Sequence, residues 1–331
     1  MRVLVTGGAG FIGSHFAARL AAAGDDVVVL DKLTYAGNLA NLETVDCMFV
    51  EGDIADPEAV RTAGADCEAV VNFAAETHVD RTILSQSELI DTNIVGVQRL
   101  LDWARETGAR MLHVSTDEVY GDLEAGGSSL EDDPLRPSSP YSAAKAGGEL
   151  QVFAHVRTYG VDALITRGSN TYGPNQYPEK LLPLFLTNAL DGEALPLYGD
   201  GRQVRDWLFV EDHCAGVELA LRRGKAGEAY NIGGGDEREN REITQLVLDA
   251  TGADPSLVRP VEDRAGHDRR YSLDTTKIHG ELGWEPRVPF EEGFARTVVW
   301  YREHRAWWEP IKHSGGYRAY YEQQYAQRLR A

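Results

Sequence analysis

Short apolar segments alternate with helical patterns through the first 170 residues, and this alternation is the strongest constraint on the fold. The segments are rich in Val, Ile and Leu on both faces, which is typical of parallel strands covered by helices. We predict strands at Val3–Thr6, Val27–Asp31, Met48–Glu51, Ala69–Ala74, Met111–Ser115 and Ala163–Arg167. We predict the helices between them near Ile12–Ala23, Ile90–Arg105 and Ala143–Tyr159. The alternation predicts an α/β fold with a doubly wound parallel sheet of the Rossmann type.

The pattern changes after about Gly168, where turn-rich stretches separate the predicted helices. These helices lie near Leu181–Leu190, His213–Arg222, Asn240–Thr251 and Phe290–Glu303. We therefore expect a Rossmann domain over 1–170 and a smaller lobe over 171–331, with some strands of the second half returning to the first domain. The tyrosine-rich end, GGYRAYYEQQYAQRLRA, predicts a loosely docked terminal helix.

A glycine-rich turn, TGGAGFIG, joins the first predicted strand to the first predicted helix. Gly7, Gly10 and Gly13 allow a tight turn and let a pyrophosphate approach the helix N-terminus. The pattern alone also fits an ordinary strand–helix turn. Asp31 ends the second strand about 20 residues on, where a carboxylate can bind a ribose and repel a 2′-phosphate. Together these features predict a bound dinucleotide, with NAD favoured over NADP.

Two further stretches carry side chains suited to acid–base chemistry. Tyr141 and Lys145 in YSAAK are four residues apart and share one face of a helix. A lysine ammonium and an oxidised nicotinamide would favour the phenolate, which can take a proton from an alcohol. VSTDEVYG places Thr116, Asp117 and Glu118 directly after a buried strand. Plainer explanations stay open here, namely an exposed Tyr and Lys on an amphipathic helix and two acids that cap a strand end.

Charge and cysteine content exclude several other classes of protein. The net charge of −19 and the lack of a basic stripe oppose nonspecific binding to nucleic acid or to an anionic membrane. Cys47, Cys67 and Cys214 are scattered and odd in number, which argues against a disulfide framework and a metal cluster. No apolar run approaches the ~20 residues that span a bilayer. We expect a cytoplasmic protein without a metal site or a signal peptide.

Longer motifs from Met1 to about Glu309 identify a resemblance to a known family. They are TGGAGFIGSH, LDKLTYAGN, FAAETHVDR, VSTDEVYG, SPYSAAKAGGE, NTYGPNQYPEKLLPL, LPLYGDGRQVRDWLFVEDH, YNIGGG and GHDRRYSLD. The chain resembles the extended short-chain dehydrogenase/reductases that act on nucleotide sugars, and among them the 4,6-dehydratases. Related epimerases usually carry Ser and small residues in place of Thr116, Asp117 and Glu118.

The resemblance implies a hydro-lyase whose favoured substrate is dTDP-glucose and whose product is dTDP-4-dehydro-6-deoxy-glucose. In the family's chemistry the C4 hydroxyl is oxidised, water is lost across C5–C6, and the hydride returns to C6. Tightly bound NAD is therefore regenerated in each turnover. The resemblance assigns the oxidation to Tyr141, Lys145 and Thr116. It makes Glu118 the base at C5 and Asp117 the acid at the C6 hydroxyl, roles that one ionised and one neutral carboxylate can divide.

The resemblance also implies the residues of two binding sites. The cofactor-binding positions are Gly7, Gly10, Phe11, Ile12, Gly13, Asp31, Lys32, Thr34, Asp53, Ile54, Ala74, Ala75, Thr92, Ser115, Tyr141 and Lys145. The substrate-binding positions are Thr77, Thr116, Asn170, Lys180, Leu181, Pro196, Leu197, Tyr198, Arg205, Asn240, His267, Arg269, Arg270 and Tyr271. Arginines in the second set can bind a diphosphate bidentately, although each such residue taken singly could be plain surface.

Two positions depart from the family. Thr171 stands where a second Asn is common, and Gly168 stands where Cys or Ser is common.

The resemblance extends to assembly, and two alternative functions remain. Helices near Ile90–Arg105 and Ala146–Tyr159 resemble those of the family's four-helix bundle, so we expect a homodimer. A UDP-sugar 4-epimerase or decarboxylase would share the fold but has no use for an acid aimed at C6. A non-catalytic NAD-binding protein would not need Tyr141 and Lys145, and both are present.

Overall fold

The computed structural model describes residues 1–78, 87–124, 126–326 and 328–329. The FAAETHVDR motif therefore continues beyond His78 into residues outside the described part. The strands are β1 (Arg2–Thr6), β2 (Asp26–Asp31), β3 (Met48–Glu51), β4 (Ala69–Asn72), β5 (Arg110–Thr116), β6 (Ala163–Gly168), β7 (Asn170–Tyr172), β8 (Leu195–Tyr198), β9 (Val204–Phe209), β10 (Ala229–Ile232), β11 (Glu237–Glu239) and β12 (Val258–Val261).

A seven-stranded parallel sheet lies at the centre of the molecule, in the order β10-β6-β5-β4-β1-β2-β3. The strands run outward from β1 in both directions, which confirms the predicted doubly wound, Rossmann-type α/β fold. The last strand, β10, comes from the second half of the sequence. The described α-helices are Phe11–Ala22, Pro57–Ala63, Ser87–Ile90, Val97–Thr107, Pro140–Tyr159, Leu181–Asp191, Val210–Arg223, Asn240–Thr251, Thr276–Leu282, Phe290–Glu303, Arg305–His313 and Gly315–Tyr321.

Helices cover both faces of this sheet. On one face Phe16, Val217 and Ile278 belong to a core formed with the helices Phe11–Ala22, Val210–Arg223 and Thr276–Leu282. On the other face the core residues come from the helices Pro57–Ala63, Val97–Thr107 and Pro140–Tyr159. Burial of apolar side chains on both faces explains why these strands are apolar throughout.

Two of the predicted boundaries that differ from the structure lie next to the end of β1 and in the second predicted helix. The strand predicted to reach Ala74 ends at Asn72, because the chain leaves the sheet after the bond from Phe73 N–H to the Thr6 carbonyl. The helix predicted over Ile90–Arg105 is interrupted by a wide helical turn at Asp91–Gly96. Such wide turns are frequent at functional sites.

The second half adds two small sheets and a third core. The strand β9 lies between β7 and β11, while β8 pairs with β12. Large aromatic side chains dominate the core beneath them, among them Tyr172, Trp207, Phe290 and Tyr301. No described helix combines the length and the apolar character needed to cross a bilayer.

The C-terminal segment is docked closely, so the prediction of a loosely docked helix is wrong. Tyr317, Tyr320 and Tyr325 are buried. The hydroxyl of Tyr317 donates to the Pro178 carbonyl at 2.8 Å, and the side-chain amide of Gln324 donates to the Tyr198 hydroxyl at 2.6 Å. Aromatic burial with satisfied hydroxyls fixes such a segment.

Candidate active site

A cavity of about 330 Å³ lies at the carboxyl ends of the central strands, the usual ligand position in a doubly wound sheet. Every residue predicted to bind the cofactor lines this cavity: Gly7, Gly10, Phe11, Ile12, Gly13, Asp31, Lys32, Thr34, Asp53, Ile54, Ala74, Ala75, Thr92, Ser115, Tyr141 and Lys145. Five of the predicted substrate residues line it as well, namely Thr77, Thr116, Asn170, Lys180 and Leu181.

The glycine-rich turn leaves room for a ligand because it has no side chains. Gly7 has φ +69°, and a Cβ there would lie 2.6 Å from the backbone nitrogen of Ala74. A Cβ on Gly13 would lie 2.3 Å from the Gly7 carbonyl oxygen. No side chain caps the following helix at Gly10, so its first N–H groups can receive an anion. The turn fits a dinucleotide pyrophosphate.

Asp31 has a double role at the end of β2. Its Oδ2 accepts from the Ala9 N–H at 3.0 Å, and its Oδ1 accepts from the Leu33 N–H at 2.8 Å. Burial raises the pKa of Asp31, and the two backbone bonds oppose that rise. The carboxylate therefore fastens the glycine-rich turn and also lines the cavity where a ribose would bind.

Lys32 connects three parts of the cofactor cavity. Its ammonium donates to Thr92 Oγ1 at 2.9 Å and lies 3.5 Å from Asp53 Oδ2 and 3.4 Å from Glu76 Oε1. Thr92 belongs to the wide turn that interrupts the predicted helix. Glu76 was missed from the sequence, although it lies in the FAAETHVDR motif.

Thr116, Asp117 and Glu118 follow β5 in a tight helical turn. Thr116 Oγ1 donates to Asp117 Oδ1 at 3.0 Å and accepts from the Glu118 N–H at 3.3 Å. Asp117 is 3% exposed, and its Oδ2 has no partner among the described residues. Burial, reinforced by the nearby charge of Glu118, raises the pKa of Asp117 to about 8. Asp117 is therefore a neutral acid near pH 7 and can donate a proton.

Tyr141 and Lys145 lie in the first turns of the helix Pro140–Tyr159. This helix begins earlier than predicted, because Ser139 caps it by accepting from the Ser142 N–H at 3.1 Å and proline is favoured in the first turn. Lys145 Nζ donates to the Val114 carbonyl at 2.7 Å, so β5 holds the ammonium in place.

Burial controls the protonation of both side chains. It lowers the pKa of Lys145 to about 8, against the opposing charge of Glu149. It raises the pKa of Tyr141, and the charges of Glu118 and Asp117 raise it further. The chain's own residues favour the neutral phenol, so the sequence-based expectation that the lysine favours a phenolate is outweighed by burial and by two carboxylates.

The remaining predicted substrate residues lie in the second half, outside the lining of this cavity. They are Pro196, Leu197, Tyr198, Arg205, Asn240, His267, Arg269, Arg270 and Tyr271. Among them, Arg205 is close enough to Glu118 and Asp117 to feel their charges. Its guanidinium lies 4.4 Å from the centre of the Tyr271 ring and donates to the Asp268 carbonyl at 3.0 Å. Burial lowers the pKa of Arg205, and the charge of Glu118 opposes part of this shift.

The other members of this set are engaged with protein groups. Arg269 lies 2.9 Å from Asp200, and Arg270 lies 2.6 Å from Glu237. His267 Nδ1 lies 2.6 Å from Asp263 Oδ1. The Tyr198 hydroxyl interacts with Gln324 and Arg328 of the C-terminal segment, while Pro196 and Leu197 are buried in β8. Asn240 is buried at the start of its helix.

Several cavity-lining residues were not predicted from the sequence. Those with polar or aromatic side chains suited to ligand contact include Gln176, Tyr177, Glu179, Trp207 and His213, in addition to Glu76. His213 and Trp207 lie inside a quoted motif, but the motif itself gives them no chemical role. Within the described part of the chain no group of His, Cys, Asp and Glu is arranged to hold a metal ion.

A Rossmann sheet with a glycine-rich turn and a Tyr–Lys pair at the strand ends defines the class of NAD-binding short-chain dehydrogenase/reductases. The comparisons with known proteins are more specific. The model of the GDP-mannose 4,6 dehydratase family matches residues 4–297. A dTDP-glucose 4,6-dehydratase of an Actinoplanes species is 53% identical over 321 residues, covering 93% of this chain and all of the relative. The chain belongs to this family of nucleotide-sugar 4,6-dehydratases.

Solved structures give the same result. A dTDP-glucose 4,6-dehydratase from Streptomyces venezuelae, crystallised with NAD and TYD, matches with a TM-score of 0.92 and 56% identity, covering 94% of this chain and all of that one. A UDP-glucose 4-epimerase from Thermus thermophilus, in complex with NAD, matches with a TM-score of 0.86 and 34% identity, covering 91% of this chain and 99% of that one.

Proposed function

We propose that this chain is an NAD-dependent dTDP-glucose 4,6-dehydratase, a hydro-lyase that forms dTDP-4-dehydro-6-deoxy-glucose and water. The observation that carries the proposal is the buried carboxyl of Asp117, whose pKa burial raises to about 8, next to Glu118 at the end of β5. Epimerases share the fold, but a reaction without elimination has no use for a neutral acid at this place. The family resemblance supports the choice of nucleotide and sugar.

The cofactor site fits NAD, which when bound would accept a hydride from C4 of the sugar and return it to C6. The glycine-rich turn at Gly7 to Gly13 would hold the pyrophosphate, and Asp31 would accept a hydrogen bond from the adenosine ribose. Lys145 Nζ, fixed by the Val114 carbonyl, holds positive charge beside Tyr141. This positive charge and that of the oxidised cofactor offset the burial that favours the phenol.

The chain's residues divide the proton transfers. Tyr141 Oη takes the proton of the C4 hydroxyl, and Thr116 Oγ1 orients that hydroxyl. Glu118 removes the C5 proton, which the C4 ketone makes acidic, and returns a proton to C5 when hydride is added to C6. Asp117 then donates its proton to the departing C6 hydroxyl. Burial by the surrounding protein keeps Asp117 neutral until that step.

The second half holds the nucleotide diphosphate. Arg205, Arg269 and Arg270 supply guanidinium groups, and residues 196–198 flank the base. Arg269 and Arg270 exchange their carboxylate partners for phosphate when the substrate binds.

We also propose a cytoplasmic homodimer. Its interface is a four-helix bundle formed by the helices Val97–Thr107 and Pro140–Tyr159 of two copies. Ile90, Leu150 and Tyr159 are apolar side chains exposed on or beside these helices, and such exposed groups favour contact with a second copy. Three free cysteines are consistent with a reducing compartment.

The decisive experiment compares Asp117→Asn with Tyr141→Phe on dTDP-glucose, with UDP-, GDP- and CDP-glucose as alternatives. Asp117→Asn should slow elimination by roughly 10²–10⁴-fold while oxidation continues. The near-ultraviolet absorbance of bound reduced cofactor should therefore rise. Tyr141→Phe should lose product without that absorbance. Wild-type dehydration by Asp117→Asn would refute the paired-carboxylate mechanism and favour an epimerase or decarboxylase.

A further inference from the structure

His213 reaches the cavity from the side of the sheet opposite to Tyr141 and Lys145. It lies in the helix Val210–Arg223, which packs on the helix Phe11–Ala22, and the Cys214 thiol lies 3.7 Å from the Ile12 carbonyl. Tyr141 and Lys145 come from a helix on the other face. His213 is 2% exposed and lines the same cavity.

Gly168 makes the space that the His213 ring occupies. A Cβ on Gly168 would lie 2.5 Å from Cε1 and 2.7 Å from Nε2 of that ring. Gly168 is the last residue of β6 and pairs with Thr116 of β5. A Cys or Ser at this position, as is common in the family, would displace the ring from the strand end. The glycine at position 168, which departs from the family pattern, is thus required for this position of the His213 ring.

Thr171, which also departs from the family pattern, fixes the tautomer of the His213 ring. Its Oγ1 lies 2.7 Å from His213 Nδ1 and donates its own hydrogen to the Ser169 carbonyl at 3.1 Å. With its hydrogen directed to that carbonyl, which can only accept, the hydroxyl accepts from Nδ1–H. Burial lowers the pKa of His213 to about 4, so the ring is neutral and Nε2 carries a lone pair.

The Nε2 atom has no hydrogen-bond partner within the described ranges of the chain. A buried polar atom without a partner costs free energy unless a ligand satisfies it. The ligand must offer an N–H or O–H donor at the end of β6. The sugar hydroxyl that reacts has to face Tyr141, which approaches from the other side of the sheet. A nicotinamide bound between the two sides would instead bring its carboxamide to the end of β6.

We propose that His213 is a cofactor-binding residue whose Nε2 accepts a hydrogen bond from the carboxamide N–H of the nicotinamide. Gly168 and Thr171 are the positioning residues for this contact. The contact orients the nicotinamide ring about its bond to the ribose, so that one face is presented toward Tyr141. The inference rests on the proposed function only through the bound NAD, and it does not depend on the identity of the sugar.

The test compares NAD with 3-acetylpyridine adenine dinucleotide, in which a methyl group replaces the carboxamide nitrogen and removes the donor. Purified holoenzyme is equilibrated with equal concentrations of the two dinucleotides, each in excess over the protein. Unbound dinucleotide is then removed, the protein is denatured, and the released dinucleotides are quantified. The proposal predicts that His213→Phe reduces the wild-type preference for NAD by roughly threefold to tenfold, the contribution of one hydrogen bond. His213→Gln offers a carbonyl acceptor and should keep part of the preference.

Two further variants test the positioning residues. Gly168→Ala should displace the ring, and Thr171→Val should release it, so both should lower the same preference. Gly216→Ala crowds the same helix against Ile232, and Thr187→Val removes a buried hydroxyl in the second half. These controls should leave the preference unchanged.

An unchanged preference in His213→Phe would overturn the proposal. A higher KM for the nucleotide sugar with an unchanged dinucleotide preference would also overturn it, because the partner of Nε2 would then be a sugar hydroxyl. Dehydratase activity is measured separately in each variant. Failure of the proposed function would appear there and would leave the dinucleotide ratio interpretable.

Discussion

The proposed site has a cofactor half, which is the cavity at the strand ends, and a nucleotide half, which is formed by the predicted substrate residues outside that cavity. The chain builds these two halves differently. The cofactor half consists of backbone and small side chains around Gly7, Gly13 and Ala74, and its predicted residues all line one cavity. The nucleotide half presents charged side chains that already have partners, such as Arg269 with Asp200 and Arg270 with Glu237.

This difference indicates which half of the site can change its contacts when a ligand binds. Backbone N–H groups at a helix N-terminus are fixed by the fold and need no new partners when a pyrophosphate arrives. Exposed ion pairs such as Arg269–Asp200 contribute little to stability and can be exchanged for phosphate at little cost. We therefore expect tight, salt-insensitive NAD binding in the first half, and readily exchanged, salt-sensitive substrate binding in the second.

Gly7→Ala should give the largest effect on this comparison. Its Cβ would meet Ala74 backbone at 2.6 Å in a residue with φ +69°. Left-handed strain and overpacking together should cost ~2–5 kcal/mol. We expect the purified variant to retain less than roughly a tenth of the wild-type NAD and to unfold at a lower Tm, as measured by denaturing release and thermal scanning.

Gly24→Ala is the matched control. Gly24 also has a left-handed backbone, with φ +85°, but a Cβ there meets nothing within 4 Å. It should lose some stability and keep its NAD. An equal loss of NAD in both variants would mean that backbone strain, and not the space in the turn, governs retention.

Arg269→Ala should have an intermediate effect, confined to the nucleotide half. Loss of one phosphate contact should raise the KM for dTDP-glucose roughly tenfold, with kcat and bound NAD little changed. Because salt screens such exposed charges, the wild-type KM should rise with ionic strength while NAD retention stays constant. Steady-state kinetics at several salt concentrations measure both.

Arg61→Ala is the control for this prediction, since Arg61 is exposed and paired with Glu58 in the first half. It should leave the KM unchanged. If Arg269→Ala also kept the wild-type KM at every salt concentration, the nucleotide diphosphate would not bind at this surface.

The smallest effect concerns Asp117, whose pKa is affected by Arg205 and Asp206 of the second half as well as by Glu118. Burial raises its pKa from 3.8 to about 8, so the folded chain holds a proton that the unfolded chain has released. This stabilisation is complete below the unfolded pKa and is lost as the pH rises toward about 8. The variant Asp117→Asn has no carboxyl proton to release. Its free energy of unfolding should therefore fall less than that of the wild type over that range, by at least ~1 kcal/mol.

Urea unfolding at pH 5, 6.5 and 8 with saturating NAD measures this difference. Asp132→Asn removes an exposed acidic charge from the same region of the sequence and should follow the wild-type pH dependence. Parallel curves for Asp117→Asn and the wild type would show that Asp117 is ionised in the folded protein.

The sequence determined the sheet and the cofactor half of the crevice. A strand that is buried on both faces requires apolar residues, and a turn with a positive φ favours glycine. Both features can therefore be recognised in the sequence. Motif resemblance predicted Tyr141, Lys145 and the stretch Thr116–Glu118 as site residues, and Thr116, Tyr141 and Lys145 line one cavity. All of these lie near the ends of β5 and β6, where local sequence places them.

Only the tertiary structure decided how the charged and polar groups are used. Arg269 and Arg270 pair with carboxylates distant in sequence, and burial raises the pKa of both Asp117 and Tyr141. The C-terminal tyrosines likewise pack against residues more than a hundred positions away. Desolvation and pairing depend on what surrounds a side chain in space, and a one-dimensional pattern does not contain that information.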